Sequence, residues 1–433
     1  MSETATAVRA SVLERVLRDY RSIAADLPGD AAVRAARARA AARLAELGWP
    51  SARDEQWRYT NLRAFERLPA FHPPAATDGD PAAALAAVRA QLELPPVLPG
   101  FERLLFIDGR RVAGTHPMLV APAEDAAASP VWPAEQRLGL LADMFASDAA
   151  RLKIRGEAAI EILFISSARA ANAATYPRLE LRLEPNSRLR LIERHLGVAA
   201  PASLIACNVS IELAHAAALT HYRLQQCSRD SIFADTLTAR LEEQARYSVR
   251  SVAVGGGSAR TSASIQLAGR GAAVAWAAMA VGRGEQVHDV ALKVEHAAPD
   301  THTEELFRGI ADERSRVAFS GHIQIDASAP GSQARQSLRG LIEGHAEIDL
   351  RPRLEILTDD VRASHGATTG RLDEDLLFYL LARGIDRPTA RALLKWAFLG
   401  DVLREIELPA LRAESERLAA GQLPDVPPLG ALS

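Results

Sequence analysis

Cysteine and lysine are almost missing from these 433 residues: cysteine occurs only at Cys207 and Cys227, and lysine only at Lys153, Lys293 and Lys395. Neither cysteine sits in a Cys-x-x-Cys pair or in a Cys/His set at zinc spacing, which excludes a disulfide framework and a zinc finger or ribbon. Both are expected to serve as small buried hydrophobes. Excess charge of one sign is missing too. The 51 Lys+Arg and 54 Asp+Glu are interspersed and leave a net charge of -3, so no basic face exists for nucleic acid. The longest apolar run, Ala272 to Val281, falls far short of the roughly 20 residues of a membrane span. Residues Met1 to Arg9 lack a basic stretch followed by an apolar one, which predicts a cytoplasmic protein with no membrane partner. No segment matches GxxxxGK[ST], and no GxGxxG joins a strand to a helix, so a nucleotide site is not expected.

What is present is a globular composition, 48% hydrophobic and 24% charged, long enough for two or three structural units. Residues 1–150 read as helical and then irregular. Val8, Val12, Leu13, Val16, Leu17, Tyr20 and Ile23 recur at helical spacing. A second, alanine-rich helix runs from about Asp30 to Leu47, stopped by Gly48-Trp49-Pro50. Proline-rich stretches from Phe71 to Pro81 and Leu94 to Pro99 predict loops. Residues 151–356 change to period two, in pieces such as Leu179 to Glu184, Val209 to Leu213, Val274 to Ala280 and Val317 to Ile325. Their centres are about 10 residues apart, which fits either an antiparallel sandwich or a coil of stacked strands. Glycine runs at 255–257, 269–271 and 282–284 suit the sharp corners of a coil.

Residues 357–433 return to helical period in their later part. Asp373 caps one helix, closed by Arg383-Gly384, and Asp386 caps a second with Pro388 in its first turn. Ala390, Leu393, Leu394, Ala397 and Phe398 form the second helix's expected apolar stripe, which serves either the chain's own core or another protein.

The segment Leu354 to Ile385, continued by Ala390 to Phe398 and Val402 to Ile406, resembles the carboxy-terminal signature shared by the SufB and SufD proteins of iron-sulfur cluster assembly. Glu55-Gln56-Trp57-Arg58-Tyr59-Thr60 resembles a motif near the start of the SufD branch. The resemblance implies a mainly β fold, a right-handed parallel β-helix flanked by helical N-terminal and C-terminal regions. It also implies a scaffold that is not itself an enzyme, pairs with SufB as a heterodimer through the β-helix ends, and binds the ATPase SufC through its carboxy-terminal helices. On that resemblance Arg383, Gly384, Ile385, Leu394, Ala397 and Phe398 are the expected SufC contacts.

Among the histidines, His365 stands out: it lies in Ser364-His365-Gly366, read as a loop of small residues after a strand and after Asp359 and Asp360. Imidazole is a borderline ligand able to bind iron and to replace thiolate in some iron-sulfur sites. The resemblance makes His365 an interface ligand shared with SufB for a nascent Fe-S cluster, with no cofactor held stably by this chain alone. Ala363 departs from the family pattern, which often has cysteine there, so sulfur ligands are expected from SufB. Asp359 and Asp360 are expected to shape the loop, and His296, His302 and His322 to be ordinary sheet residues. Two other readings stay open: a secreted-type β-helix enzyme acting on polysaccharide through carboxylates such as Glu343, Glu347 and Asp349, and a homodimer joined through exposed strand edges.

Overall fold

The computed structural model describes residues 10–74, 81–114, 116–119, 133–198 and 202–423. Val8, the opening nonapeptide and part of the Phe71 to Pro81 stretch lie outside them. Ser11 opens α1 (Val12–Ile23) with a capping box, its side chain accepting from the Glu14 amide while Glu14 reaches back to Ser11. Asp30 caps α2 (Ala31–Leu47), and Gly48 ends it at φ 73°. Then come α3 (Arg63–Glu66), α4 (Pro81–Arg89), β1 (Glu102–Ile107), β2 (Arg110–Ala113) and α5 (Gly139–Phe145).

From here the chain winds into a coil. Its strands are β3 (Ala150–Ile154), β4 (Glu157–Ser166), β5 (Ala174–Thr175), β6 (Arg178–Leu183), β7 (Arg188–Gly197), β8 (Ser203–Leu213), β9 (Ala218–Gln226), β10 (Ser231–Leu241), β11 (Arg246–Ala253), β12 (Ser258–Leu267), β13 (Ala273–Gly282), β14 (Val287–His296), β15 (His302–Ala311), β16 (Arg316–Ile325), β17 (Ser332–Ile342), β18 (Glu347–Ile356) and β19 (Val361–Gly370). From β6 onward each strand pairs in parallel with the strand two ahead, even-numbered strands in one sheet and odd-numbered strands in the other. A sandwich would pair strands antiparallel across hairpins; this is a parallel β-helix of about eight turns.

Period two arises because alternate residues line the interior. Cys207, Val209, Ile211 and Leu213 of β8 join the same core as Leu189 and Leu191 of β7, Phe233 and Leu237 of β10 and Ile265 of β12. Each fully buried leucine or isoleucine contributes roughly 1.5–3 kcal/mol. The glycine runs lie at the corners, where Gly271 and Gly284 take φ of 70° and 69°.

The outer faces are covered by helices of opposite chain ends. α1, α2 and α5 pack on Leu204, Ala206, Ile232 and Ala234 of the even-numbered sheet. The odd-numbered sheet carries α7 (Arg387–Leu403) and α8 (Pro409–Gln422), which follow the short α6 (Glu374–Leu381). Asp373 and Asp386 cap α6 and α7 as expected, and Gly384 between them has φ 81°. Glu343 pairs with Arg391 and Lys395, and Arg308 with Asp401 at 2.7 Å, tying α7 to the coil.

Two differences from the sequence expectation have physical causes. The coil continues past the expected boundary at residue 356 to Gly370. β19 is small and polar because it ends the stack: its inward positions have no further rung to bury against, so apolar alternation is not required. On α7 the buried apolar residues are Ala390, as expected, with Ala392, Trp396, Leu399, Val402 and Leu403; Leu393, Leu394 and Phe398 are half-buried and Ala397 is exposed. Positions 392, 396, 399 and 403 repeat at helical period as well as the expected set does, and Trp396, Leu399 and Leu403 take the sheet.

Candidate functional site at the open end of the coil

Among the described residues, β18 pairs only with β16 and β19 only with β17, leaving the outer edges of the last turn unpaired. His365 lies in the middle of β19, not in a loop as the sequence suggested; small residues around it lack strand propensity, and the pairing to β17 sets their conformation. Val361 and Ala363 pack against the core, so alternation turns His365 to the same side. Parallel register stacks His365 on Gln336, Gln336 on Glu305 and Glu305 on Trp276. His365 is exposed at the top of this column.

Beneath it the chemistry is polar and dry. Gln336 Nε2 donates to Glu305 Oε2 at 2.9 Å. Burial pushes the Glu305 carboxyl up to about 8, so it holds its proton at neutral pH. Reading down from the tip, the column is imidazole, amide and neutral carboxyl. Asp359 and Asp360 are exposed in the turn between β18 and β19 and act through their backbones: the Gly331 amide donates to the Asp360 carbonyl at 2.7 Å, and the Val361 amide to the Asp359 carbonyl. Among the described residues His365 belongs to no cluster of metal-ligating side chains. Within β18, β19 and the turn between them, His365 is the one imidazole.

A second exposed feature lies on α6. Leu376, Phe378 and Tyr379 are 51%, 71% and 52% exposed, and the end of the coil adds Ile356 and Leu357. The Arg383 guanidinium stacks 3.4 Å from the Tyr379 ring centroid. The run from Leu376 to Leu381 is apolar on every side of its helix, yet only Leu377 is buried; that continuous run was the missed sequence signal for an exposed apolar surface. Gly384 is exposed and Ile385 half-buried beside it. Ala397 and Leu393 line a groove between α7 and α8 of about 390 Å³.

The Glu55 to Thr60 motif clips the amino-terminal segment onto the even-numbered sheet. Trp57 is buried with Arg260 4.7 Å over its ring, Thr60 Oγ1 donates to Asp289 at 2.6 Å, and Glu55 pairs with Arg351. The carboxylates weighed for polysaccharide chemistry are engaged in ion pairs: Glu343 with α7, Glu347 and Asp349 with Arg316.

Residues 164–398 match the family described as SUF system FeS cluster assembly, SufBD core domain. The chain belongs to the SufBD family. This SufBD protein is 26% identical over 398 residues to the iron-sulfur cluster assembly protein SufD of Escherichia coli, a match covering 86% of this chain and 88% of that one. An iron-sulfur cluster assembly SufBD family protein of Synechocystis is 29% identical over 262 residues, 58% of each chain. One from Mycobacterium tuberculosis is 30% identical over 257 residues, 57% of this chain and 63% of that one. The matches thus span less than two thirds of the cyanobacterial and mycobacterial proteins. Among the described residues, no helix is long and apolar enough to cross a membrane.

Proposed function

We propose that this chain is a SufD-type scaffold subunit, without catalytic chemistry of its own, that joins SufB through the open end of its β-helix and holds the ATPase SufC through its carboxy-terminal helices. The observation that supports this most is the last turn: two unpaired strand edges framing one exposed imidazole. Strand edges of this kind pair readily with another chain. Such pairing would bring His365 against donors of the partner, where the imidazole supplies one ligand to a nascent Fe-S cluster carried as cargo. Ala363 offers no thiolate beside it, so SufB supplies the sulfur ligands.

SufC docking falls on the apolar surface of α6 and the α6–α7 corner, with Arg383, Gly384, Ile385, Leu394, Ala397 and Phe398 as its contacts. Ala397 and the glycine are accessible; Leu394 and Phe398 contribute their exposed margins. Because α7 is bolted to the odd-numbered sheet by Glu343 and Arg308, force applied by an ATPase at this corner passes directly into the coil. Co-expression with SufB and SufC, followed by measurement of subunit composition, iron and sulfide, tests the assignment. A stable three-component complex is expected. An isolated chain that forms a homodimer and ignores SufB would favour a self-paired scaffold.

A further inference from the structure

The interior of the coil holds a second set of donor atoms, remote from the tip. Inward positions there are almost all leucine, isoleucine, valine and alanine, yet Glu193 and His195 of β7, Cys207 of β8, His221 and Arg223 of β9, and Asp235 of β10 all point inside and are buried. Burying that many polar groups costs several kcal/mol unless their charge and hydrogen bonds are satisfied. Satisfaction is incomplete. Arg223 bridges Glu193 at 2.6 Å and Asp235 at 2.8 Å, one guanidinium between two carboxylates. Glu193 Oε2 lies 3.0 Å from His221 Nε2 but makes no well-formed hydrogen bond. With both imidazoles neutral, two carboxylates against one guanidinium leave one negative charge in excess, which a cation would offset.

Three donors converge where that cation would sit. His195 Nε2 is 2.6 Å from Glu193 Oε1 and 3.9 Å from Cys207 Sγ, and the three ligand atoms lie within 4.8 Å of one another. In a tetrahedral site with bonds of about 2.0–2.3 Å, neighbouring donors stand about 3.3–3.6 Å apart. The sulfur-nitrogen separation is already close to this, and the carboxylate needs only a rotation of under about 1 Å. A cavity of about 20 Å³, room for one water, adjoins His195, Arg223 and Asp235 on the side away from Glu193 and Cys207, which do not line it. Cys207 is buried in the core as its sequence context suggests, and its sulfur also faces these donors. The donor set of one oxygen, one nitrogen and one sulfur disfavours calcium and magnesium, which take oxygen ligands, and suits borderline divalent ions.

We propose that Glu193, His195 and Cys207 form a buried mononuclear site for one Zn²⁺ or Fe²⁺ ion inside the coil. Binding converts the Cys207 thiol to a thiolate and releases its proton, so one divalent ion and one thiolate cancel the excess charge. The three donors are buried, so the ion enters as the turns close during folding.

The test is expression of the full chain with added zinc or, separately, cobalt, followed by metal analysis and absorption spectroscopy. About one equivalent of metal per chain is expected, with a thiolate-to-cobalt charge-transfer band in the cobalt form. Cys207→Ser should abolish that band, and His195→Gln should lower retained metal at least about 10-fold. Cys227→Ser should keep both metal and band. Circular dichroism confirms that each variant is folded; if Cys207→Ser does not fold, His195→Gln carries the comparison. A wild-type chain that purifies without stoichiometric metal from either medium overturns the site, as does metal retained in both the Cys207 and His195 variants.

Discussion

Glu305→Gln should make the protein more stable at alkaline pH, by an amount that grows with pH. In the fold the Glu305 carboxyl is sealed beneath Gln336 and keeps its proton until about pH 8, whereas its ordinary value is 4.5. Between these values the unfolded chain has released a proton that the folded chain retains. Stability therefore falls as pH rises, by about 1.4 kcal/mol per unit and by up to about 5 kcal/mol across the window. Below pH 4.5 the contribution is fully present; above about 8 it is gone. Glutamine preserves the shape and the oxygen that accepts from Gln336 but does not titrate, so the variant loses this slope. Urea unfolding followed by circular dichroism at several pH values, with wild type subtracted, isolates the effect from all other titrating groups. A variant-minus-wild-type difference that stays flat between about pH 5 and about pH 8 would refute the claim that this column is dry.

The opposite slope is expected from His288, which burial holds down at about 4 against an ordinary 6.5. As pH falls through that window the unfolded chain gains a proton that the fold refuses, costing up to about 3 kcal/mol; His288→Leu should flatten the acid limb of the stability profile, and an unchanged limb counts against its burial. Trp396→Ala, removing the largest side chain of the α7 stripe, should lower stability by about 3–5 kcal/mol in denaturant melts. A loss under about 1 kcal/mol would mean that α7 is not held by that stripe. Phe378→Asp should change stability by no more than about 0.5 kcal/mol yet weaken capture of SufC by about 30-fold or more; undiminished capture moves the docking surface off α6.

How much of this was legible beforehand depends on whether short-range or long-range contacts decide each feature. Helix ends were readable because capping is local: Asp30, Gly48, Asp373, Gly384 and Asp386 act within a turn of themselves. Alternation located the strands of the coil for the same reason. Whether those strands paired as a sandwich or a coil was not readable from period, because the partner of Glu193 is Arg223 in the next turn of the same sheet, and nothing local to either residue states it. The strand at Val361 to Gly370 was missed since its inward row is short on large apolar residues: after Val361 and Ala363, which pack on the core, it holds only His365 and small residues. Of the expected α7 stripe only Ala390 is fully buried, because two helical stripes competed and the sheet beneath, with Met279 and Ile310, selects Trp396 and Leu399. Cys207 and His195 gave no motif at all: twelve residues apart in sequence, they meet only because consecutive strands of one turn face each other across the interior. His365 could be picked out from its surroundings and the family resemblance, but its exposure above Gln336 and Glu305 required the register.

The most direct measurement is the iron and sulfide content of the complex purified with SufB and SufC, carrying either wild-type chain or His365→Ala. An exposed side chain at the end of the coil can be shortened without disturbing the fold, so the complex should assemble with unchanged subunit composition while cluster content drops severalfold. Equal iron and sulfide in both preparations would contradict a role for the open end in building the cluster.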